Sequence, residues 1–207
     1  MLYSPDEGKF IMVDGFKRRL DAMNRRLYAW ELLVTDYIEK NVDVRMVMYT
    51  LTYRKVRDYK AGHIGKFTKD LRNKLNKRLL AWAWVAELQK RGAVHYHVVA
   101  LVEKGTDLPY PDENGMWTYG MTKIQEVDNI KYLFSYQGKT GQKDLEKFPK
   151  NARLYATSIR FGGKETKEVF RRLAGISGKV KDADWYYVGS SVTESYARNV
   201  LASGKIN

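Results

Sequence analysis

Two hydrophobic periods share this chain. Over residues 15–40, Phe16, Leu20, Met23, Leu27, Trp30, Leu33, Val34 and Tyr37 recur at helical spacing, and Lys17, Arg18, Arg19, Arg25 and Arg26 crowd the same stretch. This predicts a long amphipathic helix with a basic face, which either meets solvent or contacts phosphate. Residues 44–53 (VRMVMYTLTY) are dense in β-branched and aromatic side chains and predict a central strand. A basic loop with two glycines follows over 53–66. Helical spacing returns with Phe67, Leu71, Leu75 and Leu79, and Thr68 is a plausible N-cap. Two apolar runs, 80–88 and 94–102, flank QKRG and predict an antiparallel hairpin. Residues 105–120 are rich in Pro, Gly and Asp and predict a loop, followed by a short strand over 121–127 and a helix over 129–138. Further on, 163–176 reads as helical and 183–193 as a strand.

This order predicts an α+β fold: a central antiparallel sheet with helices packed on one face, RRM-like in outline. The chain divides into an N-terminal basic helical segment (1–43), a core (44–156) and a C-terminal extension of the same domain (157–207).

Composition narrows the partners. Of 207 residues 44% are hydrophobic, enough for a real core, and the formal net charge of +13 favours a polyanion. No stretch approaches the roughly 20 apolar residues of a spanning helix, and MLYSPDEGKF lacks a secretory pattern. The absence of cysteine removes disulfides, thiolate zinc sites and cysteine nucleophiles, and fits a reducing cytoplasm. Any bound metal must use nitrogen and oxygen donors, which points to a hard or borderline ion.

The chemistry concentrates in few residues. Two of the three histidines, His95 and His97, stand two apart in an apolar strand and therefore share a face. Glu87, in the equally apolar run LAWAWVAEL, lies across the predicted turn, although the unknown register leaves its face open. Two imidazoles and a carboxylate can hold a catalytic divalent ion; a satisfied buried His–Glu pair explains the same residues. His63, in the glycine-flanked basic loop, reads as solvated or DNA-facing. Tyr132 and Tyr136 lie four apart, with Lys139 three further on. A helix would align all three, and an ammonium beside a phenol favours the phenolate needed for attack on a phosphodiester. With fifteen tyrosines in the chain, such a pair also arises from ordinary packing.

Three ordered elements together resemble the HUH endonucleases, and within them the two-tyrosine rolling-circle replication initiators, relatives of the gene A proteins of small single-stranded DNA phages and the gene II proteins of filamentous phages. VMYTLTY (47–53) is similar to the family's first motif, HYH (95–97) to its His-hydrophobic-His motif, and YLFSYQGK (132–139) to its Tyr-x-x-x-Tyr-x-x-Lys motif. The resemblance covers about residues 44–140, roughly half the chain. It implies a tyrosine-bearing helix across a metal site in which His95, His97 and Glu87 bind Mg²⁺ or Mn²⁺. It implies that Tyr132 or Tyr136 attacks single-stranded DNA at an origin, assisted by Lys139, leaving a 5′-phosphotyrosine and a 3′-hydroxyl that primes replication. The setting it implies is the cytoplasm of a bacterial host, for a phage- or plasmid-encoded protein. A host helicase and polymerase are implied as partners, because no nucleotide-binding loop is visible.

Arg54, Lys55, Arg57, Lys60, Lys66, Lys69, Arg72 and Lys74 are the candidate DNA contacts, with Tyr53 and Tyr59 as candidate stacking groups. The alternatives are a non-catalytic RRM-like single-strand binder and a one-tyrosine transposase or relaxase. A histidine-triad hydrolase needs a third histidine where Ala93 stands. Tyr96, bulkier than the usual middle residue, should pack on the opposite face.

Overall fold

The computed structural model describes residues 2–4, 9–11, 15–128, 147–150 and 152–174, with side chains from residue 19 onward. In chain order the elements are β1 (Leu2–Ser4), β2 (Lys9–Ile11), α1 (Gly15–Lys40), β3 (Val44–Thr52), α2 (His63–Leu75), β4 (Leu79–Leu88), β5 (Val94–Glu103), β6 (Thr122–Glu126), β7 (Tyr155–Ile159) and α3 (Lys164–Leu173). Strands β1 and β2 form a small antiparallel hairpin that the sequence pattern does not announce. The other five form one sheet in the order β6-β3-β5-β4-β7, antiparallel throughout. The α+β class and the antiparallel sheet are as the pattern predicts.

The helices, expected on one face, instead cover both. Val47, Tyr49 and Leu51 of β3 join Tyr96, Val98, Ala100 and Val102 of β5 in a core closed by Ile64, Phe67, Leu71 and Leu75 of α2. The intervening residues Met46, Met48, Ala81, Ala83, Val85, Val99 and Leu101 meet Met23, Leu27, Trp30, Leu33 and Val34 of α1, with Val169 and Phe170 of α3 alongside. Two covered faces explain why LAWAWVAEL and VHYHVVALV are apolar almost without alternation: successive side chains point to opposite faces, and both faces are dry. Trp30 ties α1 to the sheet edge, its Nε1 donating to the Ser158 carbonyl at 3.0 Å.

Two local expectations change. Helix α2 starts at His63, so Thr68 is not its N-cap; it sits buried one turn in, its hydroxyl donating to the Gly65 carbonyl at 3.1 Å. The lure is a capping residue type just ahead of a helical repeat that has already begun with Ile64. The edge strand β7 is not legible in the pattern either, because YATSI is short and offers only half-buried positions. It crosses residue 157 and pairs with β4 from Ala81↔Ile159 to Val85↔Tyr155. The expected strand over 183–193 and the tyrosine helix over 129–138 lie outside the described residues.

Candidate functional site

The face that carries α1 leaves one end of the sheet to polar residues. β5 begins with His95 and His97, and strand parity sends both to the α1 face together with Val99 and Leu101. Their rings lie 4.6 Å apart, centroid to centroid. Registry resolves the open question about Glu87. It stands directly opposite His95, on the same face, and its Oε2 accepts from His97 Nε2 at 3.3 Å. The register follows from a turn in which Gln89 N–H bonds the Ala93 carbonyl at 2.9 Å and Gly92 takes a positive φ of 82°. Tyr96 turns the other way and is 1% exposed, packed as expected.

Thr52 completes the cluster and is the residue that sequence reasoning does not single out. It pairs with His95 across β3 and β5, and its Oγ1 lies 2.7 Å from His95 Nδ1. A hydrogen bond at Nδ1 fixes the ring and leaves Nε2 to face outward, the arrangement that orients a ligating imidazole. The available signal is parity: Thr52 closes the TLT run at the strand end, opposite the first histidine. Arg91, in the β4–β5 turn, donates to the carbonyls of Tyr53 and Arg54, the latter at 2.6 Å. It thereby clamps the end of β3 that presents Thr52.

Burial pushes His95 down to about 4, helped by His97 and Arg91 and opposed by Glu87. The ring is neutral at pH 7, with a lone pair to offer. The donor chemistry of His95, His97 and Glu87 therefore suits Mg²⁺ or Mn²⁺, two neutral imidazoles and one carboxylate. The three side chains are neighbours without being gathered around one point: among the described residues no group of three or more His, Cys, Asp or Glu is close enough to hold a metal ion.

The remaining candidates separate. Tyr53 is fully buried, so it is a core residue and not a base-stacking one, and Tyr59 is half-buried against it at 5.8 Å. Burial raises the phenol pKa of Tyr49, Tyr53 and Tyr96, which keeps these tyrosines protonated and unsuited to nucleophilic attack. His63 is neither solvated nor a member of the cluster. It stacks on Tyr119 at 3.6 Å and 4°, and its Nδ1 lies 3.1 Å from Tyr53 Oη. Arg54, Lys55, Arg57 and Lys60 are exposed on the loop after β3, while Lys66, Lys69, Arg72 and Lys74 line the outer side of α2, with Lys66 paired to Asp70 at 2.6 Å. The first group leads directly from Thr52; the second lies on the helix that covers the opposite face. Tyr132, Tyr136 and Lys139 lie outside the described residues.

An antiparallel sheet with two histidines and a carboxylate at one end defines an α+β protein with a polar centre on an otherwise apolar sheet. Residues 46–141 match a family of replication-associated proteins, the one described by ORF2 and the gene II protein. That stretch, less than half of the chain, opens in β3, contains the whole cluster and runs through Tyr132, Tyr136 and Lys139. The match supports a Rep-like replication initiator that binds DNA at an origin. No curated protein and no solved structure matches the chain. No helix among the described residues is long and apolar enough to cross a membrane.

Proposed function

We propose that this protein is a rolling-circle replication initiator that nicks single-stranded origin DNA and rejoins it by tyrosine strand transfer. One observation supports this most: two histidines, a carboxylate and an orienting threonine share one polar end of the sheet, inside the replication-associated match. His95, His97 and Glu87 would hold Mg²⁺ or Mn²⁺. When bound, that ion supplies Lewis acidity to a phosphate oxygen. The phenol oxygen of Tyr132 or Tyr136 attacks phosphorus, and the bond from phosphorus to the 3′ oxygen breaks. The phenolic proton is lost as attack proceeds, and the leaving 3′ oxygen takes a proton to become a hydroxyl. A 5′-phosphotyrosine remains. Lys139 favours the phenolate and offsets charge on the phosphoryl group. The reverse attack by a 3′-hydroxyl rejoins the strand. The two tyrosines allow one to cut while the other holds the earlier product.

A host helicase would open the duplex and a host polymerase would extend the 3′ end, in the cytoplasm of a bacterium carrying a phage or plasmid replicon. The RRM-like binding alternative needs an open aromatic sheet face, and both sheet faces carry helices. The test is a covalent-adduct gel with labelled single-stranded origin DNA and Mn²⁺. Wild-type protein should shift with the 5′ fragment, and Tyr132→Phe with Tyr136→Phe together should abolish the adduct. An adduct at the parental rate in the double variant refutes the nucleophile assignment. Loss with only one of the two variants favours a one-tyrosine enzyme.

A further inference from the structure

Helix α1 and the sheet edge enclose an open groove of about 660 Å³ that the chemistry above does not use. Arg19, Ala22 and Arg26 form one wall, and the chain from Ala152 to Ala156, including Arg153 and Tyr155, forms the other. The helix residues are spaced three and four apart, so they share a face. The small Ala22 leaves the groove open between two guanidiniums set about 10 Å apart along the axis. Both guanidiniums are held from the far wall. Arg19 Nη2 donates to the Ala152 carbonyl at 2.9 Å, and Arg26 Nε donates to Thr157 Oγ1 at 3.0 Å while its charge sits 5.6 Å from the Phe170 ring. A guanidinium has five N–H donors, so these contacts exhaust neither side chain. Arg153 is exposed beside them, and no carboxylate is among the described lining residues.

The groove adjoins the polar cluster. Tyr155 pairs with Val85, and Ala86 N–H bonds the Leu154 carbonyl at 2.7 Å. The wall at 152–156 therefore lies one strand away from the stretch of β4 that carries Glu87, and two strands, about 10 Å, from β5 and its histidines. Three arginines in a groove whose described lining holds no carboxylate, two of them pre-oriented, stand next to the proposed cleavage centre. They match the repeated negative charge of a phosphodiester chain.

We infer that this groove holds the backbone of the single DNA strand beside the cleavage point, gripping phosphates through Arg19, Arg26 and Arg153 without reading bases. The inference rests on the proposed nicking activity for the identity of the strand. Its test is independent of that chemistry. Fluorescence anisotropy with a labelled oligothymidylate, in EDTA, gives the dependence of log Kd on log salt. Replacing Arg19, Arg26 and Arg153 together by Gln should lower the slope by about 2, near 0.7 per lost phosphate contact; the corresponding Lys variant should restore most of it. Arg26 also packs on Phe170, so Arg153→Glu, at an exposed position, is the companion variant and should lower the slope by about 0.7 or more with an unchanged thermal melt. An unchanged slope in either variant overturns the inference, as does an equal effect on a duplex of the same length. Failure of the nicking reading has a different signature: no adduct from wild-type protein, with the arginine-dependent slope intact.

Discussion

Gly120 belongs to no motif, yet it should be among the least replaceable positions near the cluster. A Cβ there would stand 2.0 Å from the Thr52 carbonyl oxygen, 2.6 Å from Arg54 N and 2.9 Å from Tyr53 C, all of them backbone atoms. Ordinary van der Waals contact begins at 3.4 Å, so Gly120→Ala must drive the two chains apart by more than about 1 Å, the scale of an overpacked core. Two hydrogen bonds hold them together at that point, Thr52 N–H to Met121 O and Arg54 N–H to Tyr119 O, each at 2.9 Å. Losing both costs about 2 kcal/mol, and overpacking adds about 1–3 kcal/mol. The total, about 3–5 kcal/mol, corresponds to a fall in Tm of roughly 10 °C for a chain of this size. The shift also moves Thr52, so Mn²⁺ affinity should fall with stability. Two other glycines calibrate the effect. Gly115 has open space around it but a φ of +65°, so alanine there should cost only about 1 kcal/mol. Gly62 has a φ of −78° and nothing within 4 Å, so alanine should be neutral or stabilising by up to about 1 kcal/mol. Calorimetric melts of the three variants and Mn²⁺ titration of Gly120→Ala make the check. A Gly120→Ala melt within a degree or two of wild type, or no more affected than Gly115→Ala, refutes the reasoning.

Two further outcomes are expected. Thr52→Val keeps the side-chain shape and removes the hydroxyl at His95 Nδ1; it should change stability by about 1 kcal/mol or less and weaken Mn²⁺ binding roughly 10–100-fold, and equal affinity in a calorimetric titration would remove the orienting role. His95 is held near 4 in the folded protein against about 6.5 when unfolded, so the unfolded chain takes up the proton first. This contribution is intact above pH 6.5 and is lost as pH falls from there toward 4. Urea melts across that window should show a steeper loss of stability for the metal-free wild type than for His95→Gln, and parallel curves would contradict the burial argument.

Much of this architecture is legible one element at a time. The 3.6-residue repeat from Leu20 to Tyr37 and the run from Phe67 to Leu75 can only be amphipathic helices, and the alternation in VHYHVVALV can only put His95 and His97 on one face. Tyr96 packing away from the pair follows from the same parity. The near-continuous apolar run in β4 also announces burial on two sides, which a sheet with helices on one face alone does not supply.

What the sequence alone determined was local periodicity, hence which residues share a face, together with the basic charge and the short list of metal-capable side chains. Tertiary structure decided everything that depends on register and on contacts distant in sequence: that Glu87 faces His95, that Thr52 from another strand orients that ring, that Gly120 lies against the Thr52 carbonyl, and that Arg153 joins Arg19 and Arg26 across a groove. The reason is physical. A period is written in consecutive residues by the geometry of one backbone, whereas a register is chosen by whichever pairing buries both faces of the sheet at once, and a slip of one residue would have turned Glu87 to the other side.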